Sequence, residues 1–279
     1  MVRLLLMASF ALMALPEALT YKAKIGDSIP VQAQFTFALT VAGPEKLTSQ
    51  LRASNAVLQI QNMTATRKGR RLISAGEGNT HRVDLVFDSA HVELRTIDKA
   101  QVFDFDTSVN PATLANDTLK QLSWGLGMAP RNYTLGPLGE YNTGPLNDAQ
   151  AEAMGVIIDP AVRLAPKPVN IGDQWTADWV GSRKQKQNDA FFRYSQTARL
   201  QEIVAGPSPR ARISYTTTGR MEIPADKNVQ QEETTLQAKG MILLDIATGT
   251  VVGIDAFGSI SSNLKVPGLV LTRTMSAKY

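Results

Sequence analysis

Residues able to carry acid–base, nucleophilic or metal chemistry are scarce in this chain. Of its 279 residues two are histidine and none is cysteine. Thiol catalysis, disulfides, cysteine-ligated zinc and iron–sulfur clusters are excluded, and so is lipid attachment through an N-terminal cysteine. His81 and His91 stand without a Gly-x-Ser-x-Gly elbow, so a serine triad lacks its usual setting. His-Glu-x-x-His is absent, and zinc-peptidase chemistry with it. No Walker loop occurs, and no Gly-x-Gly-x-x-Gly follows a strand; Gly125-Leu-Gly127 is too short to wrap a phosphate. Asp104-Phe-Asp106-Thr-Ser108-Val-Asn110 spaces oxygens like a calcium loop. Its sixth position, however, is Val109 instead of Gly and its twelfth is Ala115 instead of Glu. The chain therefore reads as a non-enzyme with no cofactor and no metal.

Two basic clusters remain: Arg67-Lys68-Gly69-Arg70-Arg71 and Arg183-Lys184-Gln185-Lys186. They read as solvated hairpin tips. Their functional alternative is contact with anionic envelope polymers or lipid headgroups. Nucleic acid is not expected, because no stacking aromatics interleave with these cations.

The chain opens Met1-Val2-Arg3 and continues through an apolar run from Leu4 to Leu15, broken by Pro16-Glu17. A basic start, an apolar middle and a small-residue exit are the parts of a secretory signal peptide, assigned to residues 1–20, with Ala14 and Ala18 as candidate cleavage positions. Twelve residues reach about 18 Å as a helix, short of a bilayer of about 30 Å. No later stretch is apolar for long enough to span, so the mature chain is expected in the periplasm or outside the cell, without a transmembrane span.

Period-2 alternation dominates the chain beyond this leader. Val31, Ala33, Phe35, Phe37, Leu39 and Val41 share one face of a long strand, and Gln32, Gln34, Thr36, Ala38 and Thr40 share the other. Further strands are expected at 56–65, turning through the first basic cluster into Leu72-Ile73, and then near 83–87, 92–94 and 103–105. After a middle stretch they resume at 175–180, 191–204, 211–223, 234–246, 251–260 and 269–275. Asp245-Ile-Ala-Thr-Gly249 reads as a bulged hairpin turn, with Gly249 supplying positive φ and Asp245 or Thr248 bonding the turn amides. The middle differs. Pro111 starts a helix-like stretch to Leu122, glycines and prolines crowd 125–145, and Asn147-Asp148 caps a second short helix to Gly155.

The expected fold is mainly β (α+β). It is an antiparallel, strongly curved sheet or open half-barrel of about 10–12 strands with one or two mid-chain helices. A first β half at 21–110, an insert at 111–168 and a second β half at 169–279 form one domain. Lys24-Ile25-Gly26-Asp27 recurs as Asn170-Ile171-Gly172-Asp173, which suggests an internal duplication. The inward aromatics Phe35, Phe37, Phe103, Phe105, Phe192 and Tyr194 line either a filled core or an apolar site. The expected function is a non-catalytic envelope protein holding a hydrophobic or lipid-like ligand against that face. The alternative is a structural or adhesion module touching anionic envelope components.

Three segments carry a resemblance: Leu19-Thr-Tyr21-Lys-Ala-Lys-Ile-Gly26-Asp27, Pro166-Lys-Pro168-Val-Asn-Ile-Gly172-Asp173-Gln-Trp175, and Gly240-Met-Ile-Leu-Leu-Asp245-Ile-Ala-Thr-Gly249 running on to Gly258-Ser-Ile260. Together they resemble a family of bacterial exported β-rich proteins of unknown function, many of them predicted lipoproteins. The strand pattern is also similar to lipoprotein-carrier half-barrels. The resemblance implies export and a curved sheet, and it brings no catalytic residues.

Overall fold

The computed structural model describes residues 18–22, 24–54, 60–97, 100–106, 131–142, 162–181, 191–222, 232–266 and 269–278. The strands are β1 (Ser28–Ala42), β2 (Ile60–Ala75), β3 (His81–Thr96), β4 (Ala100–Asp106), β5 (Arg131–Leu135), β6 (Tyr141–Asn142), β7 (Gln174–Val180), β8 (Phe191–Val204), β9 (Arg210–Glu222), β10 (Glu232–Asp245), β11 (Val251–Val266) and β12 (Leu269–Lys278). Among the described residues there is one helix, α1 (Glu45–Ser54), between β1 and β2. All twelve strands belong to one antiparallel sheet in the order β6-β5-β3-β2-β1-β12-β11-β10-β9-β8-β7, with β4 beside β3. Among the described residues the sheet does not close by strand pairing.

The chain's own crossings show how strongly this sheet curves. In a flat sheet β5 and β10 would lie six strand spacings apart, about 29 Å. Yet the Tyr21 N–H donates to the Pro137 carbonyl in the β5–β6 turn (2.8 Å), and its neighbour Lys22 donates to the Gly249 carbonyl in the β10–β11 turn (3.1 Å). Two consecutive residues span only about 3.8 Å. A second crossing does the same farther round. Leu164 N–H donates to the Leu138 carbonyl (2.9 Å), while the adjacent Arg163 N–H donates to Gln196 Oε1 on β8 (2.7 Å). Extended straps at 18–22 and 162–165 thus cross the inner face and tie the β5–β6 end of the sheet to the β10–β11 turn and to β8.

The straps also cover the apolar face. Leu19, Tyr21, Val162, Leu164 and Ala165 join Phe35 and Phe37 of β1, Leu85 and Phe87 of β3, Phe192 and Tyr194 of β8, and Ile213, Leu236 and Ile242 of β9 and β10 in one core. The Tyr21 hydroxyl donates to the Val162 carbonyl at 3.0 Å, joining strap to strap.

Two expectations are corrected. The cluster Arg67–Arg71 is no hairpin tip; it lies inside β2, and the turn to β3 comes at Gly76–Thr80, where Gly76 N–H donates to the Thr80 carbonyl at 3.1 Å. Gly69 is there for a close approach, since a Cβ on it would lie 2.2 Å from the Val86 carbonyl oxygen. Secondly, 83–87 and 92–94 are parts of one strand. The register shifts between Lys68 and Gly69, skipping Asp88 on β3, so the inward set moves from Val83, Leu85 and Phe87 to Ala90, Val92 and Leu94. A bulge that resets parity looks, in sequence, like a strand break. Helix α1 has no counterpart among the expected elements. Pro44 caps it, its carbonyl accepting from Leu47 and Thr48, and Glu45 suits the positive end of the helix. The two expected mid-chain helices lie outside the described residues.

The turn at Asp245–Gly249 forms as expected. Gly249 has φ +64, the Thr248 N–H donates to Asp245 Oδ1 at 2.9 Å, and Gly249 N–H donates to the Asp245 carbonyl at 2.8 Å. The Ser208 hydroxyl also donates to Asp245, and these bonds, the serine's first, hold the carboxyl below its ordinary range. Leu19→Ala is expected to destabilise the fold by about 3 kcal/mol in urea unfolding, as a buried large-to-small change does. Leu47→Ala, on the exposed side of α1, is expected to stay within about 0.5 kcal/mol of wild type.

Candidate ligand-binding groove

The sequence singled out six aromatics. Phe35 and Phe37 project inward from β1, and Phe192 and Tyr194 inward from β8; all four are buried in the same core. Phe103 and Phe105 fall on β4, opposite Val92 and Ala90, and their side chains lie outside the described residues. The second basic cluster, 183–186, lies outside them too.

Tyr194 is the centre of an aromatic row. Its ring stacks on Trp179 of β7 (centroids 5.0 Å, planes 18° apart) and on Phe192 (5.6 Å, 17°). Opposite Tyr194 on β9 is Gly219, where a Cβ would stand 3.0 Å from the tyrosine ring. The missing side chain lets the ring lie over the strand. Arg163, from the second strap, places its guanidinium 5.0 Å from the Trp179 ring. Burial lowers the pKa of this guanidinium, and Glu140 partly opposes the shift. The stack therefore begins on a cation held against an aromatic face.

The exposed face of the same three strands carries a groove of about 370 Å³, within the usual size range of small-ligand sites. Its lining is three cross-strand rows. Asp178, Ser195 and Thr218 form one wall, Val180, Arg193 and Arg220 form the other, and Trp179, Tyr194 and Gly219 run between them. Both wall rows are exposed, while Tyr194 and Gly219 are buried, so the groove opens on the outer face. Arg193 and Arg220 stand directly opposite each other in the β8–β9 register. Sequence reasoning missed this pair because 27 residues separate the two arginines. The register alone brings them together.

Two further charged groups matter. Arg67, expected in solvent, is 2% exposed and lies between the rings of Phe35 (5.5 Å) and Phe87 (5.1 Å). On the opposite face His91 Nδ1 donates to Asp104 Oδ1 of β4 at 2.7 Å, with Glu93 Oε1 3.6 Å from its other nitrogen. The hydrogen bond to Asp104 raises the His91 pKa first, and Glu93 adds to it. Among the described residues no group of His, Asp and Glu is placed to hold a metal ion, and no helix is long and apolar enough to cross a membrane.

No protein-family model matches the sequence, and no curated protein matches it. The class is defined by the fold alone: an open antiparallel sheet curled over its own straps.

His91 is expected to titrate above its ordinary 6.5 in an NMR pH series. Because the folded pKa is the raised one, the stabilising contribution is complete below the unfolded value and is lost as pH rises through the folded one. Asp104→Asn should return the midpoint toward 6.5 and flatten the stability profile in that window. An unchanged midpoint in the variant would contradict the assignment.

Proposed function

We propose that the protein is a non-catalytic, exported binding module of the cell envelope. It holds an anionic, hydroxyl-bearing group, a phosphate or carboxylate of an envelope polymer or lipid head, in the outer groove. The observation that carries this reading is the facing pair Arg193 and Arg220. Two guanidiniums set opposite each other on one exposed wall can both donate charge-assisted hydrogen bonds to one anion. Ser195 on the facing wall donates or accepts as needed, Thr218 Oγ1, which donates to the Ser195 carbonyl at 3.5 Å, can accept, and Asp178 accepts from ligand hydroxyls.

The acyl-chain reading is less well supported. Phe35, Phe37, Phe192 and Tyr194 already pack with Leu19, Tyr21, Val162 and Leu164. A chain on that face would have to displace both straps. The outer groove needs no such rearrangement.

Export with removal of the leader is part of this reading. Leu19 belongs to the core, so cleavage is expected after Ala14 or Ala18 and not after residue 20, with N-terminal sequencing as the check. Binding is tested with vesicles of anionic and of zwitterionic lipid, and with a soluble teichoic-type polyphosphate. Arg193→Gln with Arg220→Gln is expected to weaken anion binding roughly 10- to 100-fold, the worth of one to two charged hydrogen bonds. Binding to anionic vesicles alone assigns a lipid head, and binding to the polymer alone assigns a wall component. Equal binding by the double variant, or binding only of a fluorescent fatty acid, overturns the proposal.

A further inference from the structure

Strand β7 sits at the end of the sheet, and among the described residues it pairs only with β8. The first half of the chain shows what a strand in this position accepts. The turns before β1 and β7 are built alike. Gly26 (φ +91) donates to the Ile73 carbonyl, Ile73 donates to the Asp27 carbonyl, and Asp27 donates to Lys24. Gly172 (φ +94) donates to the Leu200 carbonyl, Leu200 donates to the Asp173 carbonyl, and Asp173 donates to Asn170. Ile25 and Ile171, at the same place in each turn, are both exposed. β7 therefore stands to β8 as β1 stands to β2. The other edge of β1 is occupied along nine residue pairs by an antiparallel strand, β12.

The sequence of β7 says which strand fits its own edge. Trp175-Thr176-Ala177-Asp178-Trp179 is nearly symmetric about Ala177. Paired antiparallel with itself about a two-fold axis at Ala177, each Trp175 faces the other copy's Trp179 on the inner side. Thr176 faces Asp178 and Gln174 faces Val180 on the outer side, so no like charges meet. In the single chain both tryptophans, though turned inward, are only half-buried, whereas the inward residues of β8 are buried. Aromatic pairs across antiparallel strands are among the favourable ones, and an uncovered edge is a template for pairing.

We infer that the protein forms a two-fold dimer in which β7 of one copy adds to β7 of a second, centred on Ala177, making one sheet continuous through both. The joint is isologous and closes at two copies. It does not depend on an anion in the outer groove, so the two proposals fail separately.

The chain has no cysteine, which makes the test direct. Facing Cα atoms in such a pair lie about 4.5–5.5 Å apart, within disulfide reach, whereas diagonal neighbours lie about 7–8 Å apart, at or beyond it. Sedimentation of the exported wild-type chain without added anion is expected to give twice the mass of one chain. Under mild oxidation Ala177→Cys should cross-link to itself nearly completely, and Thr176→Cys at least ten-fold less. Should either variant misfold, wild-type sedimentation together with hydrogen exchange at 174–180 against concentration decides the matter. A single-chain mass at all concentrations, or equal cross-linking at 176 and 177, overturns the inference.

Discussion

A sheet of long strands with one apolar face must cover that face or lose the energy that folds it. Here the cover is the chain's own backbone, drawn across in two extended straps. The constraint is strict, because each strap bonds through adjacent residues to the β5–β6 end of the sheet and to a distant strand or turn of its second half. Tyr21 and Lys22 reach two turns that a flat sheet would hold about 29 Å apart. Arg163 and Leu164 do the same between β8 and the β5–β6 turn. Curvature, burial of the core and the meeting of the two chain halves are therefore one event.

Covering the inner face from within moves the available chemistry outward. The inner surface keeps a cation, Arg67, but sandwiches it between phenyl rings. On the outer surface the register alone sets Arg193 against Arg220 and gathers two hydroxyls and a carboxylate beside them. The aromatic stack beneath joins β7 to β8, two of the three strands that carry these groups. A rigid sheet of this kind positions side chains more closely than a loop does.

Much of the architecture could be read from the residues. Alternation through Val31–Val41 and Phe191–Val204 marked both the strands and their inward faces, because burial on one side is a period-2 signal. The Asp245–Gly249 turn was equally clear, since positive φ and a side-chain acceptor leave few residue choices. Long-range pairing was not readable. Arg67 looked like a solvated tip because glycine and arginine usually mean a turn, and only the close approach of Val86 explains Gly69. The parity reset at Asp88 disguised one strand as two. The groove stayed hidden for the same reason: cross-strand neighbours are set by register, which no local pattern encodes. Helix α1 carries a Pro-Glu start, but its exposed surface gives little apolar periodicity to detect.

The curled sheet stands or falls on the distance between its two bridged turns. Spin labels at Pro137→Cys and Thr248→Cys in this cysteine-free chain measure it by pulsed electron resonance. The straps predict a single short separation, far below the flat-sheet value. A distribution centred near about 29 Å or beyond would mean that the strap at 18–22 does not tie these two turns together.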